Sequence, residues 1–277
     1  MNYRADEVIK EAKTLLDSKG VTHYNDTIFL LEKVLGRKVS FLKDITLTDN
    51  EYKEFCALVV RRAEHEPMDS LLGGTEFMGI DIPFSTATLS PRQETEIMVD
   101  NIIKENKDKT ELRVLDLCSG SGCIGLSIAK YLGADVTCVD LSKDAIAVAK
   151  ATADKNNIKV NFVESDLFEN VTGTYDIIVT NPPYIPTSDC EELEREVKEY
   201  DPLLALDGGE DGLDLVRRIC EDSINYLNEQ GLIYMEYGIG QTEAIVKLFE
   251  KNFDSIEIVK DYSGIDRYIK ARKRDLC

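Results

Sequence analysis

The strongest structural signal in this chain is the segment from Val114 to Gly125. It reads VLDLCSGSGCIG, which combines an apolar strand, a tight loop with the spacing Gly-x-Gly-x-x-Gly, and the start of a helix. Glycine has no Cβ, so such a loop can turn sharply and lie against a ligand at the helix N-terminus. Asp140 ends the next apolar run, where a carboxylate can accept hydrogen bonds from both hydroxyls of a ribose. The pattern predicts an α/β sheet that binds a nucleoside cofactor.

From about residue 92 onward, apolar runs alternate with amphipathic stretches, which is typical of a βαβ series around a mostly parallel sheet. We expect strands at Arg113–Leu117, Asp135–Asp140, Lys159–Glu164, Tyr175–Thr180, Gly231–Tyr237, Ser255–Lys260 and Asp266–Ala271. We expect helices at about 122–132, 142–156, 211–229 and 240–252, with Ser142 capping the second and Gly231 following the third.

The first part of the chain has a different pattern. Residues 1–72 show the apolar spacing of amphipathic helices, and Thr48-Asp49-Asn50-Glu51 is a capping-box sequence. Turn formers and alternating apolar residues over 73–91 predict a hairpin-like linker. The expected domains are therefore a helical bundle at 1–72, a β-hairpin linker at 73–91 and an α/β domain at 92–277.

Charge and composition exclude several functions. The chain has 33 Lys and Arg against 52 Asp and Glu, a net charge of −19, and its first 85 residues hold 11 basic and 15 acidic side chains. Nucleic-acid binding relies on basic surfaces, so we expect no direct nucleic-acid partner. No apolar stretch approaches the roughly 18 residues of a membrane span, and the charged N-terminus lacks a signal-peptide core. We expect a cytoplasmic protein that does not bind membranes.

Cysteine and histidine offer little material for metal binding. The two histidines are His23 and His65, and no Cys-x-x-Cys pair occurs among the scattered cysteines, which are Cys56, Cys118, Cys123, Cys138, Cys190, Cys220 and Cys277. We expect reduced thiols, no zinc site, and a chemistry that works without histidine.

Two details favour S-adenosylmethionine over a dinucleotide as the cofactor. Asp116 precedes the glycines, where it would repel a pyrophosphate but could orient water or the cofactor's ammonium group. No basic residue that would bind a pyrophosphate lies nearby in the sequence. After the third strand, Asp166 could accept a hydrogen bond from an adenine amino group, and Leu167 could cover the ring. The alternative is that Asp166 only caps a turn.

A second motif follows the buried strand Tyr175–Thr180. It reads Asn181-Pro182-Pro183-Tyr184. Ligands bind at the carboxyl ends of strands in open α/β sheets, so this loop should face the same crevice as the glycine loop. The alternative is a surface turn.

The two prolines make the second motif stiff and leave acceptors exposed. They hold the backbone extended, so the Asn181 side-chain oxygen and the Pro182 carbonyl oxygen would lie side by side. Two such acceptors suit a planar NH₂ group. Asn181 is neutral and takes no proton, so we expect it to orient the substrate rather than act as a base. Tyr184 could stack on the planar group and exclude water.

Taken together, these motifs resemble those of the release factor glutamine methyltransferases, the HemK/PrmC family, along almost the whole chain. The blocks that carry the resemblance are Leu89–Glu96 (LSPRQETE), Asp116–Gly122, Asn181–Tyr184, Ala205–Leu213 (ALDGGEDGL), Glu236–Gly238 and Asp261–Arg267. The Asn-Pro-Pro-Tyr loop alone is shared with amino-methyltransferases generally, whereas the combination is more specific.

The resemblance implies a Rossmann-like class I methyltransferase that depends on S-adenosylmethionine. Its substrate would be the side-chain amide nitrogen (N5) of the glutamine in the Gly-Gly-Gln motif of peptide chain release factors. The implied substrate loop is Asn181 to Tyr184. The implied cofactor contacts are Cys118, Ser119, Gly120, Ser121, Gly122, Asp140, Leu167 and Asn181.

The chain departs from the family pattern at two of these positions. The family usually has Gly at 118 and often an aromatic residue at 167, where this chain has Cys and Leu. The helical domain at 1–72 would help to dock the release factor, or would only stabilise the catalytic domain.

The main alternative function is an adenine-N6 methyltransferase that acts on DNA or RNA, because the exocyclic amine of adenine presents the same planar NH₂ group. The acidic charge disfavours it. A non-catalytic nucleoside-binding protein would need the glycine loop without a competent acceptor loop, and the Asn-Pro-Pro-Tyr motif argues against that reading.

Overall fold

The structure is a computed structural model that describes residues 3–23 and 25–274. Cys277 and the outermost ends of the predicted first and last domains lie outside this part of the chain. The elements, in chain order, are β1 (Tyr3–Arg4), α1 (Ala5–Ser18), α2 (Asp26–Leu35), β2 (Thr46–Leu47), α3 (Asp49–Ala63), α4 (Met68–Leu72), β3 (Gly74–Phe77), β4 (Ile80–Pro83), α5 (Gln93–Asn106), β5 (Arg113–Leu117), α6 (Cys123–Leu132), β6 (Asp135–Asp140), α7 (Lys143–Asn156), β7 (Asn161–Glu164), β8 (Tyr175–Thr180), α8 (Arg195–Tyr200), α9 (Asp214–Asp222), β9 (Leu227–Glu236), α10 (Thr242–Phe249), β10 (Phe253–Lys260) and β11 (Asp266–Lys273).

The chain divides into two compact units. The first comprises the residues up to Gly74 together with Arg195–Tyr200, and the second comprises Thr75–Glu194 and the chain from Asp201 onward. Helix α8 therefore belongs to the first unit, although in the sequence it lies within the predicted α/β domain.

Helices α1 to α4 form the first unit around an apolar core. The predicted capping box is present at the start of α3, where the Thr48 N–H donates to Glu51 Oε2 at 2.7 Å and the Glu51 N–H donates to Thr48 Oγ1 at 3.3 Å. Arg62 is buried and donates to Asp26 Oδ2 at 2.7 Å and to Glu196 Oε2 at 2.6 Å. The pair with Glu196 links α8 to α3 in this unit.

The predicted hairpin is confirmed as the two-stranded sheet β3–β4. Its turn residues Met78 and Gly79 have φ angles of 49° and 68°. Positive φ at both central residues is characteristic of the tight turns that match the twist of a hairpin.

The second unit contains a seven-stranded sheet with the order β10-β11-β9-β8-β5-β6-β7. Strands β9, β8, β5, β6 and β7 run parallel, and β11 is antiparallel to both of its neighbours. The mostly parallel α/β class is confirmed. The chain leaves β5 toward β6 on one side and later returns as β8 on the other, so the strand order reverses beside β5. Open sheets bind ligands at such a point.

Both faces of the sheet are covered by helices. Leu115 and Ile178 pack in a core shared with α9 and α10, whereas their neighbours Val114 and Ile177 pack in a core shared with α5 and α6. Strands buried on both faces have continuous apolar sequences. This is why the predicted β5, β6 and β8 agree with the observed bounds to the residue.

Several elements differ from the predictions, most of them only by a few residues at one end. The helix expected at 211–229 is wrong over its second half, because a 3₁₀ turn at Ser223–Asn225 follows α9 and the chain then enters β9. There the Tyr175 N–H donates to the Tyr226 carbonyl oxygen at 2.8 Å, so pairing with β8 overrides the helical pattern. Gly231 lies inside β9 and does not follow a helix. Helix α5 is missing from the predicted elements.

Candidate functional site

A cavity of about 290 Å³ opens at the carboxyl ends of β5, β6 and β8 in the second unit. Most of the predicted site residues line it, namely Cys118, Ser119, Gly120, Ser121, Asp140, Asp166, Leu167, Asn181 and Pro183. The structure thus brings the glycine loop, the acid after β6 and the Asn-Pro-Pro-Tyr loop to one cavity. Asp116, Gly122, Pro182 and Tyr184 lie outside its lining.

The three glycines of the loop have different physical roles. Gly120 has a φ of 53°, and a Cβ placed on it would meet no described atom within 4 Å, so its backbone leaves room for a ligand. A Cβ on Gly122 would lie 3.2 Å from the Ala149 Cβ. A Cβ on Gly125 would lie 2.7 Å from Cys138 Sγ. Gly120 therefore leaves space for a ligand in the cavity, whereas Gly122 and Gly125 allow close packing behind the cavity wall.

Asp140 holds the glycine loop in place. Its Oδ2 accepts a hydrogen bond from the Gly120 N–H at 2.8 Å, and its Oδ1 accepts one from the Ser142 N–H at 2.9 Å. Burial raises the pKa of Asp140, and these hydrogen bonds act in the opposite direction. A carboxylate oxygen can accept more than one hydrogen bond. Asp140 is thus a fixed carboxylate on the cavity wall that can accept further hydrogen bonds.

Asp116 lies behind the loop rather than on the cavity wall. It is fully buried, and its Oδ2 accepts a hydrogen bond from the Gly125 N–H at 2.8 Å. Its Oδ1 has no hydrogen-bond partner among the described residues. Burial, assisted by the charge of Asp140, raises the pKa of Asp116 to about 7. This position supports the first turn of α6, and contact with a cofactor ammonium stays a prediction.

The two departures from the family pattern share a backbone feature. Cys118 and Leu167 both line the cavity, and both have left-handed backbones, with φ angles of 54° and 48°. Glycine adopts this conformation without a Cβ penalty, which is a physical reason for glycine at position 118. Burial raises the pKa of the Cys118 thiol to about 12, so the thiol stays protonated at neutral pH.

Asp166 has a partner that the sequence did not indicate. Arg218 Nη2 lies 2.9 Å from Asp166 Oδ1, on an exposed edge of the cavity. An adenine amino group would have to share this carboxylate with the guanidinium. The predicted adenine contact therefore stays a prediction.

The backbone of the Asn-Pro-Pro-Tyr loop is held by distant segments. Gln241 Nε2 donates to the Tyr184 carbonyl oxygen at 2.9 Å. A Cβ on Gly208 would lie 2.8 Å from the Tyr184 Cα, and a Cβ on Gly212 would lie 2.2 Å from the Tyr184 carbonyl oxygen. The glycine-rich block Ala205–Leu213 therefore fits closely against this loop. Its resemblance to the family was the only sequence signal for that role.

A buried acid touches the Tyr184 side chain of the same loop. Glu236 ends β9 and accepts a hydrogen bond from Thr95 Oγ1 at 2.7 Å. The Tyr184 hydroxyl lies 3.5 Å from Oε1, the other carboxylate oxygen of Glu236. Burial raises the pKa of Glu236. Sequence reasoning named Glu236 only within a block similar to the family. A charged residue at the end of an apolar strand was the signal that could have marked it.

The cavity wall contains polar groups suited to a nucleoside cofactor. Ser119 Oγ is buried without a hydrogen-bond partner in the described part of the chain, and it lies beside the fixed carboxylate of Asp140 and the open backbone of Gly120. A nucleoside with hydroxyl and ammonium groups offers donors and acceptors for all three. The residues present therefore fit the predicted cofactor.

Other classes of site find no support in residues 3–23 and 25–274. These residues contain no group of three or more His, Cys, Asp and Glu side chains placed to hold a metal ion, and their six cysteines are free. Within the same ranges, every helix is too short or too polar to cross a membrane.

Comparison with known proteins gives consistent results. The family model described as "Methyltransferase small domain" matches residues 84–196. The release factor glutamine methyltransferase of Geobacter sulfurreducens is 38% identical over 275 residues, which cover 96% of this chain and 95% of the relative. The enzyme of that name from Clostridium acetobutylicum is 35% identical over 276 residues, which cover 96% of this chain and 97% of the relative.

The fold itself also has solved counterparts. The crystal structure of a methyltransferase from Pyrococcus furiosus superposes with a TM-score of 0.54 at 17% identity, covering 70% of this chain and 89% of that chain. At this level of identity the match concerns the fold alone. It confirms the α/β fold.

Proposed function

The chain belongs to the release factor glutamine methyltransferase family, and we propose that it transfers a methyl group from S-adenosylmethionine to the side-chain amide nitrogen of a glutamine in a peptide chain release factor. The glutamine is that of the Gly-Gly-Gln motif. With this substrate, the enzyme would act in the cytoplasm, where release factors work.

One observation carries the proposal beyond family membership. The acceptor loop and the cofactor loop line the same cavity, through Asn181 and Pro183 on one side and Gly120 and Asp140 on the other. A methyl transfer requires donor and acceptor to meet within a few ångströms. A nucleoside-binding protein without transfer activity would not need the second loop.

The cofactor supplies an electrophilic methyl group on a sulfonium when it is bound. Asp140 would accept hydrogen bonds from the ribose hydroxyls, because its carboxylate is already held at the cavity wall by two backbone N–H groups. Gly120 would let the cofactor approach the backbone closely, and Ser119 Oγ would find a partner. Leu167 would cover one face of the adenine ring by apolar contact.

The substrate amide needs orientation more than proton removal. Its nitrogen lone pair is conjugated with the carbonyl group, to an extent gauged by the peptide rotation barrier of about 18–20 kcal/mol. Asn181 Oδ1 and the Pro182 carbonyl oxygen would each accept one hydrogen of the NH₂ group, so that the nitrogen faces the methyl group. Positioning of this kind can lower a barrier by roughly 7–11 kcal/mol.

The helical first unit is proposed to dock the release factor. Its exposed aromatic side chain Phe41 is 76% accessible and is available for contact. Hydrogen exchange of the whole enzyme with and without release factor tests this role. Added protection in residues up to Gly74 is expected, whereas protection confined to the second unit would mean that the bundle only stabilises the enzyme.

The decisive experiment follows radiolabelled methyl groups from S-adenosylmethionine into a purified release factor. Labelling is expected with the natural Gly-Gly-Gln sequence and not after its glutamine is replaced. If the label enters DNA or RNA instead, or persists after that replacement, the proposal is wrong.

Three variants of the enzyme divide the roles of the two loops. Asn181→Ala should lose methyl transfer while it keeps cofactor affinity, and Asp140→Ala should lose cofactor affinity in calorimetry. Asp135→Ala is the matched control, because Asp135 is exposed at the opposite end of the same strand β6. Equal loss of cofactor affinity in the Asn181 and Asp140 variants would contradict this division.

A further inference from the structure

A short segment of the second unit, residues 201–205, forms one part of the cavity wall, and we call it the strap. Three of its side chains line the cavity, namely Pro202, Leu204 and Ala205. Its 3₁₀ turn contains no buried residue, and Leu203 and Leu204 are 60% and 55% exposed. Apolar packing therefore does little to hold the strap, so its position depends on the contacts at its two ends.

The far end of the strap is fixed by backbone hydrogen bonds. Leu206 follows the strap and is buried, and its carbonyl oxygen accepts a hydrogen bond from the Ile185 N–H at 3.0 Å. The Gly208 N–H donates to the Ile185 carbonyl oxygen at 2.8 Å. Ile185 directly follows the Asn-Pro-Pro-Tyr loop. This end of the strap is therefore tied to the proposed substrate loop.

The near end of the strap is fixed by the side chain of Asp201. Its Oδ2 accepts from Arg92 Nη2 at 2.7 Å, and its Oδ1 accepts from the Ser90 N–H at 3.3 Å. The Asp201 side chain is only 7% exposed. Shielding from water strengthens the attraction between a carboxylate and a guanidinium, and such charge-assisted hydrogen bonds are stronger than neutral ones.

The two partners of Asp201 belong to another part of the cavity wall. Residues 87–92 all line the cavity, and they connect β4 to α5 without forming a helix or a strand. In the sequence they lie more than a hundred positions before the strap. Asp201 thus joins two irregular stretches of the same wall.

We infer that Asp201 is a positioning residue for the cofactor: through its ion pair with Arg92, its carboxylate fastens the strap to residues 87–92 and so completes the wall that retains the bound cofactor. The inference rests on the proposed function, because it takes S-adenosylmethionine as the occupant of the cavity. Asp201 itself lies outside the cavity lining. Its effect on the cofactor therefore passes through the wall residues that it holds.

A purely structural role predicts a different outcome. Asp201 would then only stabilise the second unit, and its replacement would lower the free energy of unfolding without changing the cofactor dissociation constant of the folded enzyme. A positioning role raises that constant, chiefly through faster dissociation. It leaves kcat at saturating cofactor close to the wild-type value, because the reacting groups are unchanged.

The test compares the wild-type enzyme with Asp201→Ala and a matched control, Asp135→Ala. Asp135 also faces an arginine, with its Oδ2 4.0 Å from Arg113 Nε, but it is exposed and lies outside the cavity lining. Calorimetry measures the affinity for S-adenosylhomocysteine, and surface plasmon resonance measures its dissociation rate. We expect the dissociation constant to rise roughly 10-fold in Asp201→Ala, the size of effect typical of one hydrogen bond to a charged group. Asp135→Ala should match the wild type.

A double-mutant cycle tests whether the effect passes through Arg92. Arg92 lines the cavity, so Arg92→Gln can also change a direct contact with the cofactor. The cycle removes such a direct contribution, because it is present in both backgrounds. Asp201→Ala should weaken binding several-fold less in the Arg92→Gln background than in the wild type. Equal losses in the two backgrounds would overturn the inference.

Hydrogen exchange of the Ser90 amide gives a readout that needs no cofactor. Its N–H donates to Asp201 Oδ1, so its exchange should become faster in Asp201→Ala and stay unchanged in Asp135→Ala. If Asp201→Ala does not fold, Asp201→Asn replaces it in the test. Asparagine keeps an acceptor for the Ser90 N–H but loses the charge that pairs with Arg92, and it should still raise the dissociation constant several-fold.

The outcomes separate the inference from the proposed function. Wild-type cofactor affinity in a folded Asp201 variant would overturn the inference. If the wild-type enzyme does not bind S-adenosylhomocysteine, the proposed function fails. The Ser90 amide then still decides whether Asp201 fastens the two parts of the wall, since unchanged exchange in Asp201→Ala would refute that contact as well.

Discussion

The carboxyl group of Asp116 should give the second unit an inverted pH dependence of stability. The side chain is fully buried, and burial raises its pKa to about 7. An aspartate in an unfolded chain has a pKa of about 3.9. Between these values the folded protein holds a proton that the unfolded chain has released.

The sign follows from proton linkage. Stability rises with pH where the unfolded state binds more protons, and here the folded state binds more, so the contribution of Asp116 is present below about pH 4 and is lost as pH rises to about 7. One pKa unit corresponds to about 1.4 kcal/mol, so a difference of roughly three units corresponds to roughly 4 kcal/mol. Ordinary salt-bridged aspartates have the opposite sign.

Asp116→Asn isolates this effect. Asparagine keeps an oxygen that can accept from the Gly125 N–H but stays neutral at every pH. The free energy of unfolding of the wild type minus that of the variant should fall by roughly 4 kcal/mol between pH 4 and pH 7.5. The chain has no tryptophan, so urea denaturation is best followed by circular dichroism at each pH.

Asp135→Asn, at an exposed position on β6, is the control. Its difference in the free energy of unfolding, measured over the same pH range, gives the effect of replacing an exposed aspartate. A difference curve for Asp116→Asn that stays flat over this range would refute the reasoning, because Asp116 would then hold no proton in the folded state. Repeating the series with saturating S-adenosylhomocysteine tests the sequence-based role of Asp116. A cofactor ammonium beside the carboxylate would move the transition to lower pH.

Further substitutions test other contacts. Gly125→Ala places a Cβ 2.7 Å from Cys138 Sγ and should lower the free energy of unfolding by roughly 1–3 kcal/mol in urea denaturation. Gly120→Ala meets only the left-handed backbone penalty of about 1–2 kcal/mol, but its methyl group faces the cavity, so calorimetry should show a loss of cofactor affinity that exceeds the stability effect. Gly212→Ala should displace the substrate loop and lower kcat with little change in the cofactor dissociation constant. Arg62→Ala leaves a buried carboxylate unpaired in the first unit and should destabilise it by about 3–5 kcal/mol, measured by hydrogen exchange of α2 and α3.

The elements whose bounds the sequence predicted best are those that pack against apolar side chains on both faces. Strands β5, β6 and β8 are buried on both faces, so each has an apolar run with clear ends. The start of β9 was mispredicted because its residues have no such signature, and their strand conformation comes from backbone pairing with β8. A local sequence pattern does not indicate which strand will lie beside a given segment in the sheet.

The residues of the candidate site also fall into a group that the sequence predicted and a group that it did not. Residues 118–122 and 181–184 are contiguous motifs that follow strands, so their meeting at one edge of the sheet was predictable. Thr95, Glu236 and Gln241 reach the same loop only through the strand order, with β9 beside β8. Their proximity to Asn181 and Tyr184 is a tertiary fact, and the sequence indicated it only as separate blocks of family resemblance.

The support around Asn181 is consistent with the chemistry that its amide must perform. A neutral side chain contributes no charge to the reaction, so its whole effect depends on which end of the amide faces the substrate. The same reasoning explains the close fit of Gly212 and Gln241 against Tyr184, because a hydrogen-bond acceptor directs its target only when its own backbone is fixed.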